Sequence, residues 1–171
     1  DPYSGEKIVE LGNNYQTYEI VFQMKKPTDL KAILSISMGA VDGEQISEKH
    51  RICIDNINLE KTEAPAVSEQ PAGENLLKNG DFALGIEGWE NAVTAPGEAE
   101  LSFEDNKAVY NITNTGTADW NVQLKQAGLT LIEGESYRIT FKAASTQART
   151  IKLALLSTSY DWYGGSDIEL E

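Results

Sequence analysis

Apolar and polar residues alternate with a period of two along most of this 171-residue chain. The segment YRITFKA places Tyr137, Ile139, Phe141 and Ala143 on one face, and Arg138, Thr140 and Lys142 on the other. TIKLALL alternates through Ile151, Leu153 and Leu155, YEIVFQM through Tyr18, Ile20, Phe22 and Met24, and AILSISM through Ala32, Leu34, Ile36 and Met38. That period predicts half-buried strands, each packing one face against a second sheet. Turn signals separate them: Gly12-Asn13-Asn14, Lys26-Pro27-Thr28-Asp29, Val41-Asp42-Gly43, Pro96-Gly97, Glu133-Gly134 and Gly164-Gly165. No helical pattern of useful length appears, so the expected fold is all-β, a β-sandwich of the jelly-roll or a similar Greek-key type.

One strand changes parity. In RICIDNINLE the apolar positions are Ile52 and Ile54, then Ile57 and Leu59, and a bulge at Asp55-Asn56 would return both pairs to the core. Beyond it, EKTEAPAVSEQPAGEN (60–75) is rich in Pro, Ala, Glu and Ser and reads as a linker between a first part, 1–59, and a second part, 76–171. Neither part offers enough strands for a sandwich of its own.

Composition removes several functions. The net charge of −13 argues against nucleic acid and anionic membranes as partners. No apolar run approaches the roughly 20 residues of a membrane span. Cys53 is the single cysteine, so no intrachain disulfide exists, and its place in ICI predicts an inert buried thiol. His50, the single histidine, lies in GEQISEKHR and is expected to face solvent. The chain has 27 Asp and Glu residues, so carboxylate pairs must occur, yet no motif marks a catalytic pair. G-x-S-x-G, the P-loop and Cys/His metal spacings are absent. A non-catalytic protein is expected.

The segment NLLKNGDFALGIEGWENA resembles the opening of the carbohydrate-binding modules of families four and nine, with families sixteen and twenty-two as relatives. WNVQLKQAGLTLIEGESYRITFKAAS and ARTIKLAL are similar to the strands that follow in such modules. YQTYEIVFQM, AILSISMG and RICIDNINLE resemble the closing strands, which here come first. The two ends also resemble each other: Asp1–Leu11 reads DPYSGEKIVEL and Asp161–Leu170 reads DWYGGSDIEL. The resemblance therefore implies the end of one tandem copy joined by a linker to the start of the next. The two parts would form one circularly permuted sandwich, or exchange strands in a dimer. In the first case residues 51–59 would pair antiparallel with 76–83, and the two similar ends would compete for one sheet position.

The resemblance implies binding of β-linked plant polysaccharide (glucan, mannan or xylan) on a concave sheet face, with a secreted polysaccharide-degrading enzyme as the parent protein. Sugars present flat C–H faces and a rim of hydroxyls, which aromatic faces and planar amides recognise. Trp89 follows Gly88 in the G-W motif and reads either as a rim residue or as a plug in the core. Trp120 shares parity with Val122 and Leu124, which points inward; the alternative is ligand stacking. Gln123 has the opposite parity and is the preferred hydrogen-bonding residue, with Gln126 and Arg149 as further candidates. Tyr160, Trp162 and Tyr163 crowd one loop, YDWYGG, where they either bury or bind something. The family's structural calcium would fall at Asp55 and Asp81, although Ala83 stands where an acid is frequent. A structural or adhesive spacer, or a fragment of a glycoside hydrolase, would be the rival readings.

Overall fold

The computed structural model describes residues 15–62 and 74–170. They form ten strands: β1 (Gln16–Gln23), β2 (Asp29–Ser37), β3 (His50–Thr62), β4 (Glu90–Val93), β5 (Glu98–Glu104), β6 (Lys107–Asn114), β7 (Val122–Leu131), β8 (Ser136–Ser145), β9 (Arg149–Leu156) and β10 (Trp162–Leu170). Two short 3-10 turns, Val41–Gly43 and Asp119–Asn121, complete the regular structure of these residues. The strands make a β-sandwich of two five-stranded sheets, ordered β1-β8-β3-β6-β5 and β10-β9-β2-β7-β4, with antiparallel pairing throughout.

The alternation decides what lies between the sheets. Tyr18, Phe22 and Met24, Ala32 to Met38 at every second position, Tyr137 to Ala143 and Ile151 to Leu155 are all buried in one core. Within it Tyr18 stacks on Phe141 with ring centroids 5.2 Å apart, and Phe22 on Tyr137 at 5.7 Å. In β3 the pairing register shifts between Asp55 and Asn58, and Asn56 takes a left-handed φ of 49°. The Asp55 carboxylate accepts the Asn56 N–H at 2.7 Å and supports that conformation. The bulge brings Ile52, Ile54, Ile57 and Leu59 all to the core.

The first three strands do not form a unit of their own. β3 lies between β8 and β6, β2 lies between β9 and β7, and β1 flanks β8. β3 continues through Thr62, into the stretch read as linker, with Glu60 and Thr62 buried. Residues 76–83 are not a strand, contrary to expectation. They follow β3 only through Leu76 N–H to Leu59 carbonyl (2.7 Å) and Ile57 N–H to Gly80 carbonyl (2.9 Å), then coil through turns with left-handed Asn79 and Phe82. Gly80 has no room for a side chain, because a Cβ there would run into the Ile57 carbonyl. The C-terminal member of the two similar ends, β10, pairs with β9. The N-terminal member lies outside the described residues.

Two expectations about single residues are corrected, and the open choice for Trp89 is decided. His50 is not solvent-facing: it begins β3 and is 2% exposed. Cys53 is half-buried rather than enclosed, because β3 turns it away from the core that holds Ile52 and Ile54. Trp89 is a core plug and not a rim residue. Its ring lies 5.4 Å from that of Phe82, and its indole N–H donates to the Asn79 carbonyl at 3.0 Å.

Candidate functional site

A groove of about 600 Å³ crosses the outer face of the β10-β9-β2-β7-β4 sheet. Its floor is built by the residues that alternate with the core: Ser35 and Ser37 of β2, Gln123 and Lys125 of β7, Lys152 and Ala154 of β9, and Ala92 of β4. Apart from Ala92, which adjoins half-buried Val93, each is the polar or small neighbour of a buried apolar residue, so the alternation that fills the core also sets the groove's chemistry. Three aromatic side chains stand along it: Trp120 at 55% exposure, Tyr160 at 66% and Trp162 at 43%. Trp162 lies on β10, and the turn carrying Trp120 leads into β7, three positions across the sheet. At about 4.8 Å per strand they stand roughly 14 Å apart across the sheet.

Between them, Gln123 is fixed. Its Nε2 donates to Ser35 Oγ and to Ser37 Oγ, both at 3.1 Å. Both amide hydrogens are thereby engaged, so the carbonyl oxygen is the part of the amide left to accept a hydroxyl. Lys152 Nζ meets Asp119 Oδ2 at 3.0 Å, and Lys125 Nζ lies 3.5 Å from the exposed Glu90. The described groove therefore has one lining carboxylate, Asp119, and it is held by a lysine. Hydrolysis of a glycosidic bond needs two.

Each aromatic group sits on a built support. The Asp119–Asn121 turn breaks strand parity, which is why Trp120 points out while Val122 and Leu124 point in. Asn121 is buried beneath it. Its Oδ1 accepts the N–H groups of Thr117 (3.0 Å) and Ala118 (2.9 Å), and its Nδ2 donates to the Thr94 carbonyl and hydroxyl, both at 3.2 Å. On the far side, Met38, Gly39 and Ala40 donate their N–H groups to the carbonyls of Val122 (2.7 Å), Asp119 (3.0 Å) and Ala118 (3.0 Å). At the other end of the groove, Ser157 Oγ accepts the N–H groups of Ser159 and Asp161, both at 3.0 Å. Tyr160 closes that turn in a left-handed conformation, φ 66°.

Three other expected ligand residues are structural. Gln126 is buried with both ends of its amide on Lys78: Oε1 accepts the N–H at 2.8 Å, and Nε2 donates to the carbonyl at 2.9 Å. It pins the turns after residue 76 to β7 and does not face the groove. Arg149 is 4% exposed and donates to backbone carbonyls. Tyr163 points away from the groove, packs against the core, and donates its hydroxyl to Asp29 Oδ2 at 2.9 Å. Ser35, Ser37, Lys125, Lys152 and Asp119 were not singled out from the sequence. The serines and Lys152 carried a signal, being the off-parity members of AILSISM and TIKLALL.

Asp55 and Asp81 are not gathered into one carboxylate cluster. Asp55 turns both oxygens on Asn56, while Asp81 accepts the Ala83 N–H at 3.3 Å and lines a groove with Asn56, Asn58, Asn75 and Asn79. Among the described residues no group of three or more Asp, Glu, His or Cys side chains converges.

The family model described as carbohydrate binding domain, of families four and nine, matches residues 74–169. No curated protein and no solved structure matches the chain. The family match covers more than half of the chain, and the chain belongs to the carbohydrate binding domain family.

Proposed function

We propose that the groove holds a β-linked plant polysaccharide, of glucan, mannan or xylan type, by stacking sugar rings on Trp120, Tyr160 and Trp162. The observation that carries this is the exposure of three large aromatic side chains along one groove, with an ordered amide between them. Exposed rings of that size are unfavourable in water unless a partner covers them. Sugar C–H faces are such a partner, and they carry hydroxyls that the Gln123 carbonyl and the Ser35 and Ser37 hydroxyls can meet. The strands on either side keep these groups in place before the ligand arrives, so little ordering entropy opposes binding. The role is binding without turnover, in keeping with the carbohydrate-binding family and the single lysine-held carboxylate of the groove. Such a module would serve a secreted enzyme that degrades plant polysaccharide.

Affinity electrophoresis against a cellulose derivative, β-1,3-glucan, xylan and glucomannan tests the reading. Retardation by at least one polymer, lost in Trp120→Ala, is the expected result. Release of reducing ends would reassign the chain as a hydrolase fragment. Unretarded migration in every gel would leave a structural spacer.

A further inference from the structure

Behind the Trp120 turn lies a buried cation that has no carboxylate within ion-pair distance among the described residues. Arg149 opens β9, and its Nη2 donates to the carbonyls of Met38 (2.6 Å), Gly39 (2.8 Å) and, more weakly, Thr150 (3.4 Å). Its Nη1 donates to His50 Nε2 at 2.7 Å, and its Nε is buried without a partner among the described residues. Neutral acceptors replace only part of the solvation that such a charge loses. The carbonyls it holds belong to the residues whose N–H groups carry the Trp120 turn: Met38 to Val122, Gly39 to Asp119, with Ala40 to Ala118 beside them. The approach is close enough that a Cβ on Gly39 would run into the Ala118 carbonyl. Arg149, the 38–40 segment and the aromatic platform are thus consecutive links of one hydrogen-bonded stack.

His50 closes the stack from below, and it can do so in one protonation state. Its Nδ1 lies 2.8 Å from the Glu48 carbonyl, which requires a hydrogen on Nδ1 and leaves Nε2 as an acceptor for Arg149. A second proton would set N–H against N–H and one cation against another in a site closed to water. Burial holds the His50 pKa below its ordinary 6.5; the Glu48 bond opposes this and Arg149 adds to it. Burial also pushes Arg149 down to about 10, against the pull of Glu44. Of the other charged groups nearby, Lys49 precedes His50 in the chain, and Asp119 and Lys152 are paired with each other at 3.0 Å.

We propose that Arg149 and His50 are positioning residues for Trp120: the neutral imidazole lets the guanidinium lock residues 38–40, and acid releases that lock and the aromatic platform with it. The proposal rests on reading the groove as the glycan site. The sign follows from a base whose folded pKa is depressed. Its contribution is complete above the ordinary value of 6.5 and is lost as the pH falls below it toward the folded value.

The test is fluorine NMR of protein labelled with 5-fluorotryptophan, in which the three tryptophans give three resonances. Trp120 is assigned by its absence in Trp120→Phe, and core Trp89 is the internal reference. Between about pH 7.5 and 5, the range in which histidine charge changes, the Trp120 resonance is expected to shift with a midpoint below 6.5 while Trp89 stays fixed. In His50→Gln the side-chain oxygen still accepts from Arg149 but does not titrate, so the Trp120 shift is expected to vanish. His50→Asn serves in its place if that variant does not fold. A Trp120 resonance that stays fixed in the wild type overturns the proposal. An equal shift in the non-titrating variant also overturns it, because His50 would then not be its source. The readout needs no glycan, so it fails separately from the binding function of the groove.

Discussion

Tyr160 is the residue at which binding and stability pull in opposite directions. Its ring is 66% exposed in the groove, and its backbone sits at φ 66°, where L side chains are strained. Replacing it with Ala removes the ring and keeps the strain, whereas Gly removes both. A tyrosine side chain offers about 200 Å², so two-thirds exposure leaves roughly 130 Å², and a sugar on one ring face would cover about half of that. At about 25 cal/mol per Å² this is ~1.6 kcal/mol, or about 15-fold in affinity, lost equally in both variants. For stability, left-handed backbone costs a non-glycine residue about 1–2 kcal/mol. The added freedom of unfolded glycine returns about 0.5–1 kcal/mol of that. Tyr160→Gly is therefore expected to be more stable than Tyr160→Ala by roughly 0.5–1 kcal/mol, a melting difference of about 1–4 °C for a chain of this size. The turn's hydrogen bond, Tyr160 N–H to Ser157 carbonyl at 2.9 Å, survives in both. Isothermal titration with the polysaccharide retained in affinity gels gives the first quantity, and differential scanning calorimetry gives the second. Unchanged affinity in either variant would remove Tyr160 from the site. Equal melting temperatures would show that the turn holds no strain.

The strands were legible because one period governs both sides of the sheet. AILSISM gives the core its Ala32, Leu34 and Ile36 and the groove its Ser35 and Ser37. The parity break in RICIDNINLE located the bulge for the same reason, since a buried face tolerates no slip. Gln123 was legible as outward-facing by parity alone. Trp120 was not, because parity carries across a strand but not across the 3-10 turn that precedes Val122. Gln126 and Arg149 were misplaced, and Trp89 was left open, for a second reason. A tryptophan, a glutamine or an arginine can bind sugar hydroxyls or satisfy a backbone. Which it does depends on partners distant in sequence, as Lys78 is from Gln126 and Met38 from Arg149. His50 was misread because a charged, turn-rich flank hid its contact with a residue 99 positions away.

The other predictions concern the platform, the floor and the assembly of the fold. Gln123→Ala should weaken polysaccharide binding by about 1–2 kcal/mol, the scale of a lost hydrogen bond to a desolvated group; titration at neutral pH measures it, and unchanged affinity would place the amide outside the contact. Asn121→Ala should lower stability by about 2–4 kcal/mol, since four hydrogen bonds to one buried amide are lost and their partners are left unsatisfied; a denaturation midpoint within error of wild type would contradict the role of that support. The last prediction follows from strand order. The family match begins at residue 74, yet the neighbours of β6, β7, β8 and β9 toward the middle of each sheet come from before residue 63. Without β1–β3, strand β8 has no partner, and the rest fall into the pairs β5-β6, β9-β10 and β4-β7. Two-stranded pairs are marginal in water. The same cut removes Tyr18, Phe22, Met24, Ala32, Leu34, Ile36, Met38, Ile52, Ile54, Ile57 and Leu59 from the core. At about 1.5–3 kcal/mol for each large side chain, that exceeds the 5–15 kcal/mol of net stability that a whole domain possesses. A fragment of residues 74–170 is therefore expected to show no cooperative melting and no polysaccharide binding. Addition of a peptide covering 15–62 should restore both, because β2 and β3 fill vacant central positions whose two neighbours are then present. A sharp thermal transition in the 74–170 fragment alone, as a proven monomer, would show that the matched segment closes a sandwich by itself and that β1–β3 add to it from outside.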